Sequence, residues 1–283
     1  MLCLLLSAGG AAAHAQRYQD FSTKTPLDEG HVLVIGFLGG RESWDNQKQS
    51  VRKMALKLRG AGFGEAHVET VENNRRSLAI ELIRNAFDRD GDGQLDERER
   101  ASARLILYGQ SFGGAAVVKL ARRLEKMKVP ILLTVQVDSI GRGDKVIPSN
   151  VARAANLFQR NGLIIKGERE IYARDPGRTT IIGNFEFDYS HKKINISEVS
   201  WRKRLFRVAH TKMDHDPAVW GLVEKIILDA LPEKRAVGAG ARQAYQEPRV
   251  LKGCSSMIRK MSSTPPRLKR RGGITCRPLA SIL

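Results

Sequence analysis

Residues 104–124 decide the fold: Arg104-Leu105-Ile106-Leu107-Tyr108-Gly109-Gln110-Ser111-Phe112-Gly113-Gly114-Ala115-Ala116-Val117-Val118-Lys119-Leu120-Ala121-Arg122-Arg123-Leu124. The first five residues are short, apolar and β-prone. From Gly114 onward the apolar residues recur at helical spacing. Between the two runs stands Gly109-Gln110-Ser111-Phe112-Gly113, a G-x-S-x-G pattern in the strand-turn-helix setting that gives it meaning. A turn this sharp forces the serine into a strained conformation and lifts its hydroxyl clear of the sheet. The flanking glycines keep side chains out of the crowded turn. The bland alternative is a glycine-rich connection; the elements on either side favour a serine nucleophile.

The neighbouring segments alternate in the same way. Residues 31–37 form an apolar strand fit for a covered sheet, running into Leu38-Gly39-Gly40. Residues 46–59 predict an amphipathic helix, 67–71 a short strand and 77–87 a second helix. After the serine and its helix, residues 131–138 read as another buried strand and 150–160 as a helix. Residues 163–172 and 179–189 read as two extended runs, paired as a hairpin or lying over the site. Residues 205–209 read as a last strand. Asp216-Pro217 opens a final helix through Leu231, with aspartate as cap and proline in the first turn. Strands alternating with helices predict an α/β fold: three layers, α/β/α, around a mostly parallel sheet.

A serine hydroxyl needs an imidazole to take its proton and a carboxylate to orient that imidazole. His210 follows the last expected strand, on the rim where the carboxyl ends of parallel strands meet and ligands bind. His215 is second choice. Asp138 ends the strand after the serine's helix and so emerges on the same rim, with Asp144 and Asp175 as competing acids. The order Ser111, Asp138, His210 matches one hydrolase lineage.

Residues 88–99, Asp88-Arg89-Asp90-Gly91-Asp92-Gly93-Gln94-Leu95-Asp96-Glu97-Arg98-Glu99, fill every position of the EF-hand loop pattern. Calcium takes six to eight oxygens. Asp88, Asp90, Asp92, the Gln94 carbonyl, Asp96 and a bidentate Glu99 supply them, with glycine at the sixth position and Leu95 at the eighth. The preceding helix would enter the loop, and a short one from Glu97 would leave it. The alternative is a solvated acidic loop.

Composition bounds the rest. A chain of 283 residues, 42% hydrophobic, can bury one substantial core. Residues 2–13 are apolar and end in Ala13-His14-Ala15, which reads as a signal peptide over 1–15, the alternative being a buried helix. No other stretch is long enough to span a membrane. Of the three cysteines, Cys3 falls in that segment and Cys254 and Cys276 in the tail, so disulfides do not hold the body. The net charge of +18 is uneven. Residues 234–283 carry 12 Lys/Arg against the single acid Glu247, amid Gly, Ser and Pro. Such a tail cannot order itself. It reads as a solvated extension able to touch an anionic lipid, a cell-wall polymer or, less favoured, nucleic acid. The organisation is thus signal 1–15, body 16–233, tail 234–283.

Over residues 30–231 the chain resembles the α/β-hydrolase superfamily, of the lipase, esterase and thioesterase kind. The resemblance rests on Gly109–Gly113, on the strand and loop from His31 to Gly40, and on His210 with the Asp216-Pro217 helix. It implies an oxyanion hole from the backbone N–H of Phe112 and of a residue near Phe37 or Leu38. Many members of that superfamily carry the acid one strand later; an acid at Asp138 resembles the pancreatic-lipase arrangement. The resulting expectation is a secreted or periplasmic calcium-binding serine hydrolase cleaving an ester or thioester, small or lipid-like, through an acyl-enzyme. The alternatives are a non-catalytic protein of the same fold that binds a ligand, and a calcium-dependent surface- or polymer-binding protein.

Overall fold

Six strands carry the apolar runs, and each pairs in parallel with its neighbours: β1 (Val32–Phe37), β2 (Ala66–Val71), β3 (Leu105–Gln110), β4 (Ile131–Val137), β6 (Val151–Phe158) and β8 (Thr180–Glu186), in the order β2-β1-β3-β4-β6-β8. They belong to a computed structural model that describes residues 15–162, 165–199 and 208–232. The expected signal segment and tail lie outside those residues, Ala15 apart. A two-stranded parallel ribbon, β5 (Val146–Ile147) with β7 (Tyr172–Ala173), stands beside the main sheet.

Side chains alternate across the strands, so each strand feeds two cores. On one face α2 (Arg76–Phe87) and α4 (Phe112–Lys126) pack Leu82, Ile83, Leu120 and Leu124 against Leu33, Ile35, Leu105 and Leu107. On the other, α1 (Ser50–Gly60), α5 (Val208–Asp214) and α6 (Pro217–Leu228) pack Met54, Leu58, Met213, Val223 and Ile227 against Val34, Ile106, Tyr108 and Val135. The result is the three-layer α/β/α arrangement the alternation predicts. A short helix, α3 (Glu97–Ser102), follows the acidic loop. Among the described residues no helix is long and apolar enough to cross a bilayer.

The edge strand β2 is bound by residues 16–23. Glu69, 1% exposed, accepts hydrogen bonds from the backbone N–H and hydroxyl of both Ser22 and Thr23, and an ion pair from Arg59 at 2.6 Å. Gln16 adds two more bonds, to the Thr70 carbonyl and from the Glu72 N–H. Four donors on Oε1 and the Arg59 guanidinium on Oε2 offset the cost of burying this carboxylate.

Three expectations fail. Residues 150–160 are strand β6, not a helix: the alanines at 152, 154 and 155 favour a helix locally, but the slot between β4 and β8 decides the conformation. The two later extended runs do not pair as a hairpin, since β8 joins β6 and β7 joins β5, both in parallel. Val208 and Ala209 begin helix α5 rather than end a strand; residues 205–207, and Leu163 and Ile164, lie outside the described residues.

Candidate active site

Ser111 is the turn between β3 and α4, at φ 58° and ψ −123°. For a side chain with a Cβ this conformation costs on the order of 1–3 kcal/mol and needs a surrounding structure that imposes it. Here the Ser111 N–H donates to the Val137 carbonyl at 2.9 Å, and its carbonyl accepts from Gly114 and Ile140, both at 3.1 Å. The end of β4 thus grips the elbow from one side. Close packing grips it from the other, because a Cβ on Gly113 would stand 2.0 Å from the Phe37 carbonyl oxygen. The serine side chain makes no capping bond to α4.

Asp138 leaves β4 at φ 42° and is fully buried. Its Oδ2 accepts from His210 Nδ1 at 2.6 Å and from Gln159 Nε2 at 3.0 Å; its Oδ1 accepts from the Gly167 N–H at 2.8 Å. His210 lies inside α5 and is 7% exposed. Its Nε2 stands 3.2 Å from Gln110 Nε2, the side chain just before the serine. Asp138 and His210 are therefore bonded to each other, and His210 is held against the residue adjoining Ser111.

The competing residues are elsewhere. Asp144 is buried against the Ser139 hydroxyl, and Asp175 accepts from the Gly177 N–H at 3.0 Å in an exposed turn. His215 Nδ1 donates to the Thr211 carbonyl at 3.0 Å. His31 and His67 pair with each other at 2.9 Å, at the amino ends of β1 and β2 and so on the opposite rim. Burial and the facing His31 hold the His67 pKa below its ordinary value.

The oxyanion donors need a correction. Phe112 is the first residue of α4, where an N–H has no partner within the helix. Phe37, however, sits in the ladder between β2 and β3, and the Leu38 N–H donates to the Val71 carbonyl at 3.0 Å. The next N–H, of Gly39, donates to Glu42 Oε2 at 3.0 Å. Among the described residues no acceptor takes the Gly40 N–H. Asn73, at the end of β2, holds this loop through its amide, which donates to the carbonyls of Leu38 and Gly40 at 3.1 and 2.6 Å.

Sequence reasoning missed Gln110, Asn73, Gln159 and Gly167. Gln110 lies inside the recognised pattern and was legible as a neighbour of the serine. The other three act through contacts made only after folding. A staple below α5 was also missed: Asp216 accepts from Tyr189 Oη at 2.8 Å and Lys192 Nζ at 2.5 Å, while capping α6. Burial, the bond to Asp216 and that carboxylate's charge hold the Tyr189 phenol far above its ordinary pKa.

In the acidic loop the structure brings Asp88, Asp90 and Glu99 together, with one carboxylate oxygen of each within 4.8 Å of the others. Gly93, at φ 81°, donates its N–H to Asp88 Oδ2 at 2.8 Å. Asp92 and Asp96 face the loop backbone, accepting from the N–H groups of Gln94 and Glu99, both at 2.7 Å.

No family model matches the chain, and no curated protein matches it. Among solved structures it is similar to "a novel cutinase-like protein from Cryptococcus sp.", at 12% identity over 74% of this chain and 98% of that one, with a TM-score of 0.39. A likeness that slight carries no argument about chemistry, which is read from the site itself.

Proposed function

We propose that the protein is a serine hydrolase acting on a carboxylic ester or thioester, with Ser111 as nucleophile, His210 as base and Asp138 as the orienting acid. The observation that carries the reading is the pairing of a strained, non-glycine elbow at Ser111 with a buried Asp138–His210 bond of 2.6 Å on the same rim. Asp138 fixes the Nδ1–H tautomer, leaving the Nε2 lone pair to take the serine proton. The serine oxygen then adds to the carbonyl carbon. The oxyanion forms beside the Phe112 N–H, with Gly40 offering the second donor, and collapse expels the alcohol or thiol, protonated by His210. Water reverses the sequence on the acyl-enzyme. Phe112, half exposed beside the nucleophile, and Val208, 40% exposed near His210, give an acyl chain an apolar border.

We infer further that the acidic loop holds calcium through Asp88, Asp90, Asp92, the Gln94 carbonyl, Asp96 and Glu99. The donor set is all oxygen, and three carboxylates converge in the loop. The ion would brace the turn from α2 to β3. Export, consistent with permanent calcium occupancy, belongs to the same reading.

The test is a fluorophosphonate probe on the full chain. Labelling of the wild type, lost in Ser111→Ala, is expected. Wild type left unlabelled, together with no hydrolysis across a series of acyl esters, would return the site to a ligand-binding role.

A further inference from the structure

We propose that Gln110 is a positioning residue: it donates to His210 Nε2, fixes the aim of the imidazole in the resting protein, and yields that atom to Ser111 when substrate arrives. The inference rests on the reading of Ser111, His210 and Asp138 given above.

The argument begins with the imidazole. Asp138 is an acceptor and lies 2.6 Å from Nδ1, so Nδ1 carries the proton and Nε2 the lone pair. The atom facing that lone pair at 3.2 Å is an amide nitrogen of Gln110, which has protons to give. Gln110 is 4% exposed, so water does not compete freely for the same position. Its direction follows from the strand: Tyr108 and Gln110 are two apart on β3 and point to the face covered by α5 and α6. Room for its carbonyl end comes from the glycine loop. A Cβ on Gly39 would lie 2.3 Å from Gln110 Oε1 and 3.4 Å from Ser111 Cβ, so the amide is wedged between the oxyanion loop and the base. Among the described residues no hydrogen bond reaches the Ser111 hydroxyl. At rest, therefore, Gln110 and not Ser111 holds that lone pair.

Gln110 and Asp138 thus hold the ring by its two nitrogens, one as donor to Nε2 and the other, from the end of β4, as acceptor from Nδ1. The other charged or titratable groups around α5 are Tyr189, Lys192 and Asp216, bonded to one another, with Lys212, Asp214 and His215 on the helix and just beyond it. None of these is hydrogen-bonded to His210.

The test is the NMR signal of the His210 ring nitrogens, assigned through His210→Gln, in wild type, Gln110→Met and Gln110→Asn. Gln110→Met keeps the volume and removes the donor; Gln110→Asn keeps the amide but draws it back, so the comparison survives if one variant fails to fold. In both variants the Nε2 resonance should move to that of a ring nitrogen without a hydrogen bond, while kcat falls by roughly tenfold with KM little changed, since only the aim of the ring is lost. An Nε2 resonance identical in all three proteins would overturn the proposal. The NMR reading needs no turnover. A wild type that the fluorophosphonate leaves unlabelled therefore removes the hydrolase reading, while the ring resonance still judges Gln110.

Discussion

At the scale of single residues the site depends on contacts that tolerate almost no displacement. Gly167 gives its N–H to Asp138 Oδ1 at 2.8 Å, and a Cβ there would stand 2.4 Å from that oxygen. Gly167→Ala should therefore push the carboxylate off His210. Kinetics should show kcat lowered by up to about 100-fold with KM little changed, since only the orientation of the base is lost. An unchanged kcat would mean that the strap at 165–168 does not set the acid. Ser111 could be picked out in the sequence as a candidate because the pattern of its turn is encoded within five residues. Gln159, which donates to Asp138 from the end of β6, could not, because the sequence around it predicts a helix and nothing local ties it to a residue 21 positions away.

At the scale of elements, two short-range devices carry predictions. The acidic loop joins α2 to α3 and sends Leu95 into the core. If calcium fills it, saturating ion should add roughly 3–4 kcal/mol of stability at 100–1,000 times its Kd. Chelator should lower the melting temperature by several degrees and turnover with it, and Glu99→Gln should reproduce both; calorimetry and an ester assay that ignore chelator would discard the metal. The second device is the His31–His67 pair. Because the folded His67 pKa lies below its ordinary 6.5, the unfolded chain binds more protons in the window beneath that value. Stability is thus present above about pH 6.5 and lost as pH falls through the folded value. His67→Gln should flatten urea midpoints between pH 7 and 5; an equally steep loss in the variant would place the acid sensitivity elsewhere. The strand β6 is the counter-example at this scale. Its alanines carry a helical signal, and only its partners on both sides make it extended.

At the scale of the whole molecule, the parallel sheet places the ends of β3 and β4 side by side and brings α5 over them, so that Asp138 and His210 meet across 72 residues of chain. The carboxyl-terminal half of edge strand β2 is bound by the segment from Gln16 to Thr23, pinned on Glu69. Glu69→Ala leaves Arg59 without its partner and four donors without an acceptor. Thermal or urea unfolding should register a loss of about 3–5 kcal/mol. A loss under 1 kcal/mol would make the strap dispensable. What the sequence determined by itself is everything with a local cause: the elbow, the capped last helix, the acidic loop pattern, and an alternation of strands and helices that dictates a layered parallel sheet. The identities of Ser111, Asp138 and His210 as candidates also came from order along the chain. Only the tertiary structure decided which backbone N–H groups are already spent on the sheet, that residues 151–158 are a strand, and that Gln110 rather than Ser111 faces the base. Those facts depend on groups far apart in sequence competing for one partner, and that competition is resolved only when the chain is packed.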